Sequence, residues 1–390
     1  MVKPLVIIGT GLAGYTLARE WRKLNPEHPL VMLSRDDGCF YSKPMLSNAL
    51  ATGKSPQQLA TFSAAQMADQ LHATIFSHTQ VLDLDVHRSE IKLQREDGRQ
   101  EILGFAQLVL ALGAEPVILP LAGDGVTDVI AVNDLRAYQQ FRQTLTNARS
   151  VLVLGAGFVG CEFANDLSIA GYEVTMADPA PYPLNRFLPE PVGQGLGGAL
   201  RGIGINYFSG YAAREVIREA GKLHVTLSDA AGHEQQVVVD LVLSAVGLRP
   251  CIALARAAGL QVDRGIVTNA YLQSSHENIF ALGDCAELDG MVRPFVMPVM
   301  HGARALARTL TGTATPVVYP VMPIALKTPA YPLMLAAADP GVAGEWLITT
   351  EADGVKALYL DGERRLRGFA LGGTATREKA ELIKQMQAVD

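Results

Sequence analysis

Val6-Ile7-Ile8-Gly9-Thr10-Gly11-Leu12-Ala13-Gly14 is the stretch that decides the fold. An apolar, β-branched run enters a Gly-x-Gly-x-x-Gly turn, and a helical pattern follows over residues 15–24. The first glycine makes the turn, the second lets the backbone approach a pyrophosphate, and the third allows close helix–strand packing. The helix start then offers aligned N–H groups to phosphate. Such a turn carries weight only with a strand before it, a helix after it and an acidic residue about 20 positions on. That context is present: a strand over 30–33 leads to Arg35 and Asp36, and Asp36 lies 22 residues past Gly14.

The same unit returns 146 residues later as Leu152-Val153-Leu154-Gly155-Ala156-Gly157-Phe158-Val159-Gly160. A strand over 174–177 ends on Asp178, 18 residues past Gly160. Two complete copies predict two Rossmann-like dinucleotide-binding domains in an α/β chain. Two dinucleotide sites in one chain imply electron transfer between them, most simply between a flavin and a nicotinamide.

Two further segments repeat. Ala111-Leu112-Gly113-Ala114-Glu115-Pro116 parallels Ala245-Val246-Gly247-Leu248-Arg249-Pro250, each closing an apolar run, over 108–112 and 237–246. These Gly-x-x-Pro crossings place one domain at 1–112 and 247–318 and the other at 113–246. Beyond residue 319 prolines cluster, a short alternating run covers 355–360, and 377–387 reads as a terminal helix, which predicts a small α+β domain over 319–390. A further helix is expected over 301–310, after Pro298 and closed by Gly312.

Composition narrows the function classes. The 390 residues are 49% apolar and 18% charged, with a net charge of −6, which excludes a disordered chain and argues against a nucleic-acid binder. No apolar run has the length of a membrane span, so no membrane insertion is expected. Gly9, Gly11 and Gly14 interrupt the N-terminal apolar run and Arg19 to Lys23 follow it, against a signal peptide. The four cysteines, Cys39, Cys161, Cys251 and Cys285, are too scattered for a disulfide scaffold, and a cytoplasmic location is expected. No metal-ligand spacing, P-loop or Ser–His–Asp arrangement stands out, and His276 and His301 read as structural.

The N-terminal glycine unit, the two crossings and Ile279-Phe280-Ala281-Leu282-Gly283-Asp284 together resemble the flavoprotein disulfide reductase superfamily, with its glutathione-reductase-like fold. Five further segments resemble, more narrowly, the rubredoxin–NAD reductases of the alkane-hydroxylation type. They are Tyr41-Ser42-Lys43-Pro44-Met45-Leu46-Ser47, Gly160-Cys161-Glu162-Phe163-Ala164-Asn165-Asp166-Leu167, Gly283-Asp284-Cys285-Ala286-Glu287, Val296-Met297-Pro298 and Leu326-Lys327-Thr328-Pro329.

The resemblance implies FAD as cofactor and NAD(H) as co-substrate. FAD is expected on Gly9, Thr10, Gly11, Leu12, Ala13 and Gly14, with Arg35 and Asp36 near the adenosine, the Val81 backbone by the adenine, and Asp284 on the ribityl chain. Lys43, Glu162, Val296 and Lys327 are expected around the isoalloxazine, with Lys43 and Glu162 as the catalytic pair. NADH is expected on Gly155, Gly157, Gly160 and Asp178. A cation such as Lys43, or a helix start near residue 300, suits the negative charge left on the reduced ring. The paired cysteines of the disulfide reductases are missing after the first ribose segment, where Cys39 stands alone, so electrons are expected to leave without a thiol relay.

The activity implied is hydride uptake from NADH and single-electron delivery to rubredoxin, a small acidic iron carrier, in the service of an alkane hydroxylase. Arg35, Lys54 and Arg293 are candidates for a cationic docking rim. Three alternatives stand beside it: a ferredoxin reductase of an oxygenase system, a peroxide- or oxygen-reducing enzyme with Cys39 as its loose candidate thiol, and a nucleotide-responsive interaction protein.

Overall fold

Leu5–Ile8 is buried at every residue and pairs in parallel on both sides, with Leu30–Leu33 and Gln107–Leu110. A central parallel strand has both faces covered, which is why it reads as an unbroken apolar run. Ile279–Ala281 and Thr74–Phe76 complete a five-stranded parallel sheet in the order 279–281, 107–110, 5–8, 30–33, 74–76. The helix Leu12–Leu24 buries Tyr15, Leu17, Ala18 and Trp21. Arg22 and Lys23 suit its C-terminal dipole, and Pro26 lies just beyond the Asn25 cap.

In this computed structural model, which describes residues 2–339 and 341–387, the chain divides into two compact units. The first holds residues 1–43, 57–115 and 248–319; the second holds 44–56, 116–247 and 320–390. The second has its own parallel sheet, in the order 129–130, 241–244, 150–154, 173–178, 206–209. Each unit adds a three-stranded antiparallel meander, over 80–104 in the first and 212–239 in the second. Beyond residue 320 the strands form an antiparallel sheet, ordered 324–326, 333–336, 366–373, 354–361, 344–351, with the helix Lys379–Gln387 contributing Leu382 and Met386 to its core.

Three boundaries differ from expectation, each for a local reason. The run over 237–246 is two strands, Glu234–Val239 and Leu241–Ser244, one in the meander and one in the parallel sheet. Asp240 sits at the break, where its carboxylate accepts from the Arg149 and Ser150 amides and pairs with Lys222. The late helix starts at Val296, so Pro298 lies inside its first turn, where a missing N–H costs nothing. At the terminus a 3₁₀ turn, Thr374–Glu378, precedes the helix proper.

Candidate functional site

Gly9 has φ +117° and Gly155 φ +101°, a region that side-chain-bearing residues rarely enter. A Cβ on Gly9 would meet the Ala111 carbonyl, and one on Gly155 the Ala245 carbonyl. A Cβ on Gly14 would meet the Gly9 carbonyl, and one on Gly160 the Gly155 carbonyl. Gly11 and Gly157 are different: nothing lies within 4 Å of the position a Cβ would take. Both are helix N-caps and, being glycines, supply no side-chain cap of their own. Open space at the start of each helix fits a pyrophosphate in each unit. The chain's own geometry therefore accommodates two dinucleotides.

The strand ends differ between the units. Gly9 N donates to Leu33 O (2.9 Å) and Gly155 N to Ala177 O (2.8 Å), which makes Ser34 the positional counterpart of Asp178. Asp36 lies two residues past that point. Its Oδ1 accepts from Ser34 Oγ (2.5 Å) and from Gly38 N (3.0 Å), and Ser34 Oγ shares a 2.6 Å hydrogen bond with Thr10 Oγ1. The acid therefore reaches the glycine turn through a serine. Sequence reasoning passed over Ser34, and aligning the two copies from their strand ends would have found it. In the second unit the carboxylate acts directly: Asp178 accepts from Ala156 N and Ala180 N, both at 2.7 Å. Each carboxylate oxygen keeps a further lone pair for a ribose hydroxyl.

The remaining residues expected at FAD in the first unit are Arg35, Val81, Lys43, Asp284 and Val296. A β-bulge between Val81 and Asp83 interrupts the strand ladder at the backbone expected beside the adenine. Gly283 has φ +83° and its missing side chain leaves room for Ala13, so the Gly-Asp pair abuts the first glycine turn. Burial pushes the Asp284 carboxyl above the usual carboxylate range, and the Lys43 charge pulls it back. Burial pushes the Cys251 thiol up and the Glu115 charge adds to this, while the charges of Arg35, Lys43 and Arg249 oppose it. Val296 and Met297, at the open start of the Val296–Leu310 helix, are 41% and 46% exposed, and Phe295 supplies no side-chain cap.

In the second unit Glu162 is buried and fully engaged. Its carboxylate accepts from Ser47 Oγ (2.5 Å), from the Lys327 amide (3.0 Å) and from the Lys327 ammonium (3.0 Å). The resemblance pairs Glu162 with Lys43; the structure shows an ion pair of Glu162 with Lys327. The Lys327 ammonium also donates to Pro44 O and to Ser47 Oγ (3.3 Å).

All four cysteines are free. Burial raises every thiol, Cys39 to about 11 and Cys285 to about 12. A thiol is the weaker nucleophile and the thiolate the reactive form, so none of the four is poised at neutral pH. Among the described residues no helix is long and apolar enough to cross a membrane.

Comparison with known proteins agrees with this geometry. Residues 3–307 match the family model of the pyridine nucleotide-disulphide oxidoreductases, and residues 316–386 match a rubredoxin binding C-terminal domain. The rubredoxin-NAD(+) reductase of Acinetobacter baylyi is 45% identical over 386 residues, 98% of this chain and 97% of the relative. That of Alcanivorax borkumensis is 42% identical over 387 residues, 99% of each. Among solved structures, the covalent putidaredoxin reductase–putidaredoxin complex matches with a TM-score of 0.86 at 25% identity, covering 99% of this chain and 94% of that one.

Proposed function

The chain belongs to the pyridine nucleotide-disulphide oxidoreductase family, and from that premise we propose that it takes a hydride from NADH and passes single electrons to rubredoxin. The observation that carries this reading is the succession, in one chain, of two glycine turns built for dinucleotides and a segment matching a rubredoxin-binding domain. FAD, when bound, supplies the conversion from a two-electron donor to a one-electron acceptor. The protein's part is to hold and to exclude. Gly9 to Gly14, the Thr10–Ser34–Asp36 chain, Arg35, Val81 and Asp284 hold the flavin nucleotide. Gly155, Gly157, Gly160 and Asp178 hold NADH. Lys43, the open helix start at Val296, and Lys327 with Glu162 serve the isoalloxazine end, where a fixed positive field favours the charge gained on reduction.

Asp178 favours NADH over NADPH, because a carboxylate accepts from a ribose diol and repels a 2′-phosphate. Burial, with Asp37 and Asp36 nearby, raises the Cys39 thiol to about 11, which argues against the thiolate that a peroxide-reducing reading needs. The ferredoxin-reductase reading shares the fold, yet the C-terminal match is to a rubredoxin-binding domain. We infer that the enzyme works in the cytoplasm and supplies an alkane hydroxylase. The test is NADH oxidation with purified rubredoxin and ferredoxin side by side. Rubredoxin reduction at least tenfold faster supports the proposal, and equal or inverted rates overturn it.

A further inference from the structure

The helix Phe158–Ile169 begins at the second glycine turn, yet three of its polar side chains, Glu162, Asn165 and Asp166, are no more than 6% exposed. Each reaches far along the chain. Glu162 holds Ser47 and Lys327, Asn165 Oδ1 accepts from Ala330 N (3.3 Å), and Asp166 accepts from Leu50 N (3.0 Å) and Ala51 N (2.9 Å). A buried carboxylate is costly unless its oxygens are satisfied, and here two backbone amides satisfy them. Burial still raises the Asp166 carboxyl, while the two amides and the charges of Arg142 and Lys327 lower it.

The loop that Asp166 grips also forms most of the cage around one ammonium. Lys327 has three N–H donors and finds three acceptors: Pro44 O, Ser47 Oγ and Glu162 Oε2. Two of them lie on residues 44–56, the loop whose amides Asp166 caps. Arg142 also donates to Lys54 O (2.9 Å) and Ser47 to Glu162, so loss of the Asp166 grip loosens the loop at Leu50 and Ala51, and with it the fit of Pro44 and Ser47 on the ammonium, rather than freeing it entirely.

We propose that Asp166 is a positioning residue: by capping the Leu50 and Ala51 amides it fixes the loop that sets the place of the Lys327 ammonium. The functional consequence rests on the reading that Lys327 serves the flavin; the structural consequence does not.

Both parts are testable on the holoenzyme with Asp166→Ala and Asp166→Asn. A brief acetylation pulse read by mass spectrometry reports the reactivity of Lys327, with Lys3 as internal standard. Labelling of Lys327 is expected to rise about tenfold in the alanine variant, the equivalent of about 1.4 kcal/mol of lost hydrogen bonding. It should rise less in the asparagine variant, which keeps one acceptor oxygen and covers the case in which the alanine variant fails to fold. Wild-type labelling of Lys327 in a folded variant overturns the proposal. Single-turnover flavin reduction by NADH then tests the route. Asp166→Ala should slow it several-fold in the wild-type background and have no further effect in Lys327→Met, whereas additive losses overturn action through Lys327. If Lys327→Met alone leaves flavin reduction unchanged, the placement of Lys327 at the flavin is wrong, and the labelling result still decides the role of Asp166.

Discussion

Aligned on their glycine turns, the two units place Thr16, Arg19 and Glu20 where Glu162, Asn165 and Asp166 stand, and the hydrogen bond from each turn to its strand end matches Ser34 with Asp178. The turns themselves are interchangeable: the same glycines meet the same carbonyls, and the same middle glycine faces open space. The flanks are not. The first helix keeps a half-exposed polar side, where Arg19 lies 4.4 Å from the Phe40 ring centroid and Glu20 pairs with Lys23. Thr16 is buried like Glu162, but at the positions of Arg19 and Glu20 the second helix buries Asn165 and Asp166, which reach distant backbone. Sterics thus repeat at the two turns, and side-chain chemistry diverges at the strand ends and helices beside them.

The largest effect should come from the glycines that touch carbonyls. Gly14→Ala is expected to yield protein with little FAD, and Gly160→Ala protein that keeps FAD but loses NADH affinity by about a hundredfold, the upper end of overpacking costs. Flavin absorbance per chain and stopped-flow reduction separate the two. Both variants losing the same ligand would break the assignment of one nucleotide per turn. Gly11→Ala and Gly157→Ala sharpen it, because the added methyl has room in the protein. Thermal stability should hold while affinity for one nucleotide falls about tenfold, since the methyl costs the fold little and stands where the pyrophosphate passes.

Next in size is the strand end. Asp178→Ser gives the second unit the residue of the first, and it should lower the NADH:NADPH efficiency ratio about tenfold, the worth of a hydrogen bond to a charged group. An unchanged ratio would mean that Asp178 only clips the Ala156 and Ala180 amides.

These positions were unequally legible in the sequence. A glycine turn is a local steric device, so spacing alone found both copies and the strands and helices around them. Counting to the nearest acid reaches Asp36 in the first unit, but the hydrogen bonds that join it to the glycine turn run through Ser34, a residue with no charge to draw notice. Asp166 reads as an ordinary polar helix residue; its partners Leu50 and Ala51 lie more than a hundred residues away, and periodicity carries no such information. The break at Asp240 was hidden by apolar residues on both sides, and only the diversion of one strand into the meander gives that aspartate its four donors. The assignment of residues 44–56 to the second unit, apart from their neighbours in the chain, has no local signature at all.

The smallest effect is expected from the cysteines, and it bears on how electrons leave. Cys161 occupies the position of Tyr15 in the first unit, and both are wholly buried: Tyr15 donates to Gly38 O at 2.5 Å, whereas the Cys161 thiol lies 3.5 Å from Ala156 O. A buried thiol of this kind behaves as a small hydrophobe. With Cys39 at about 11 and Cys285 at about 12, neutral thiols are favoured in the folded state. The sign follows: their contribution to stability is present below the free thiol value near 8.5 and is lost as the pH rises through the folded values. Alkylation of native protein at pH 7.5 should therefore be slow and accelerate only in alkali. Replacing all four by alanine should leave rubredoxin reduction within about twofold of wild type, because no thiol is poised to relay electrons. A cysteine-free enzyme that folds and accepts hydride from NADH normally, yet cannot reduce rubredoxin, would show that a thiol carries the electrons out.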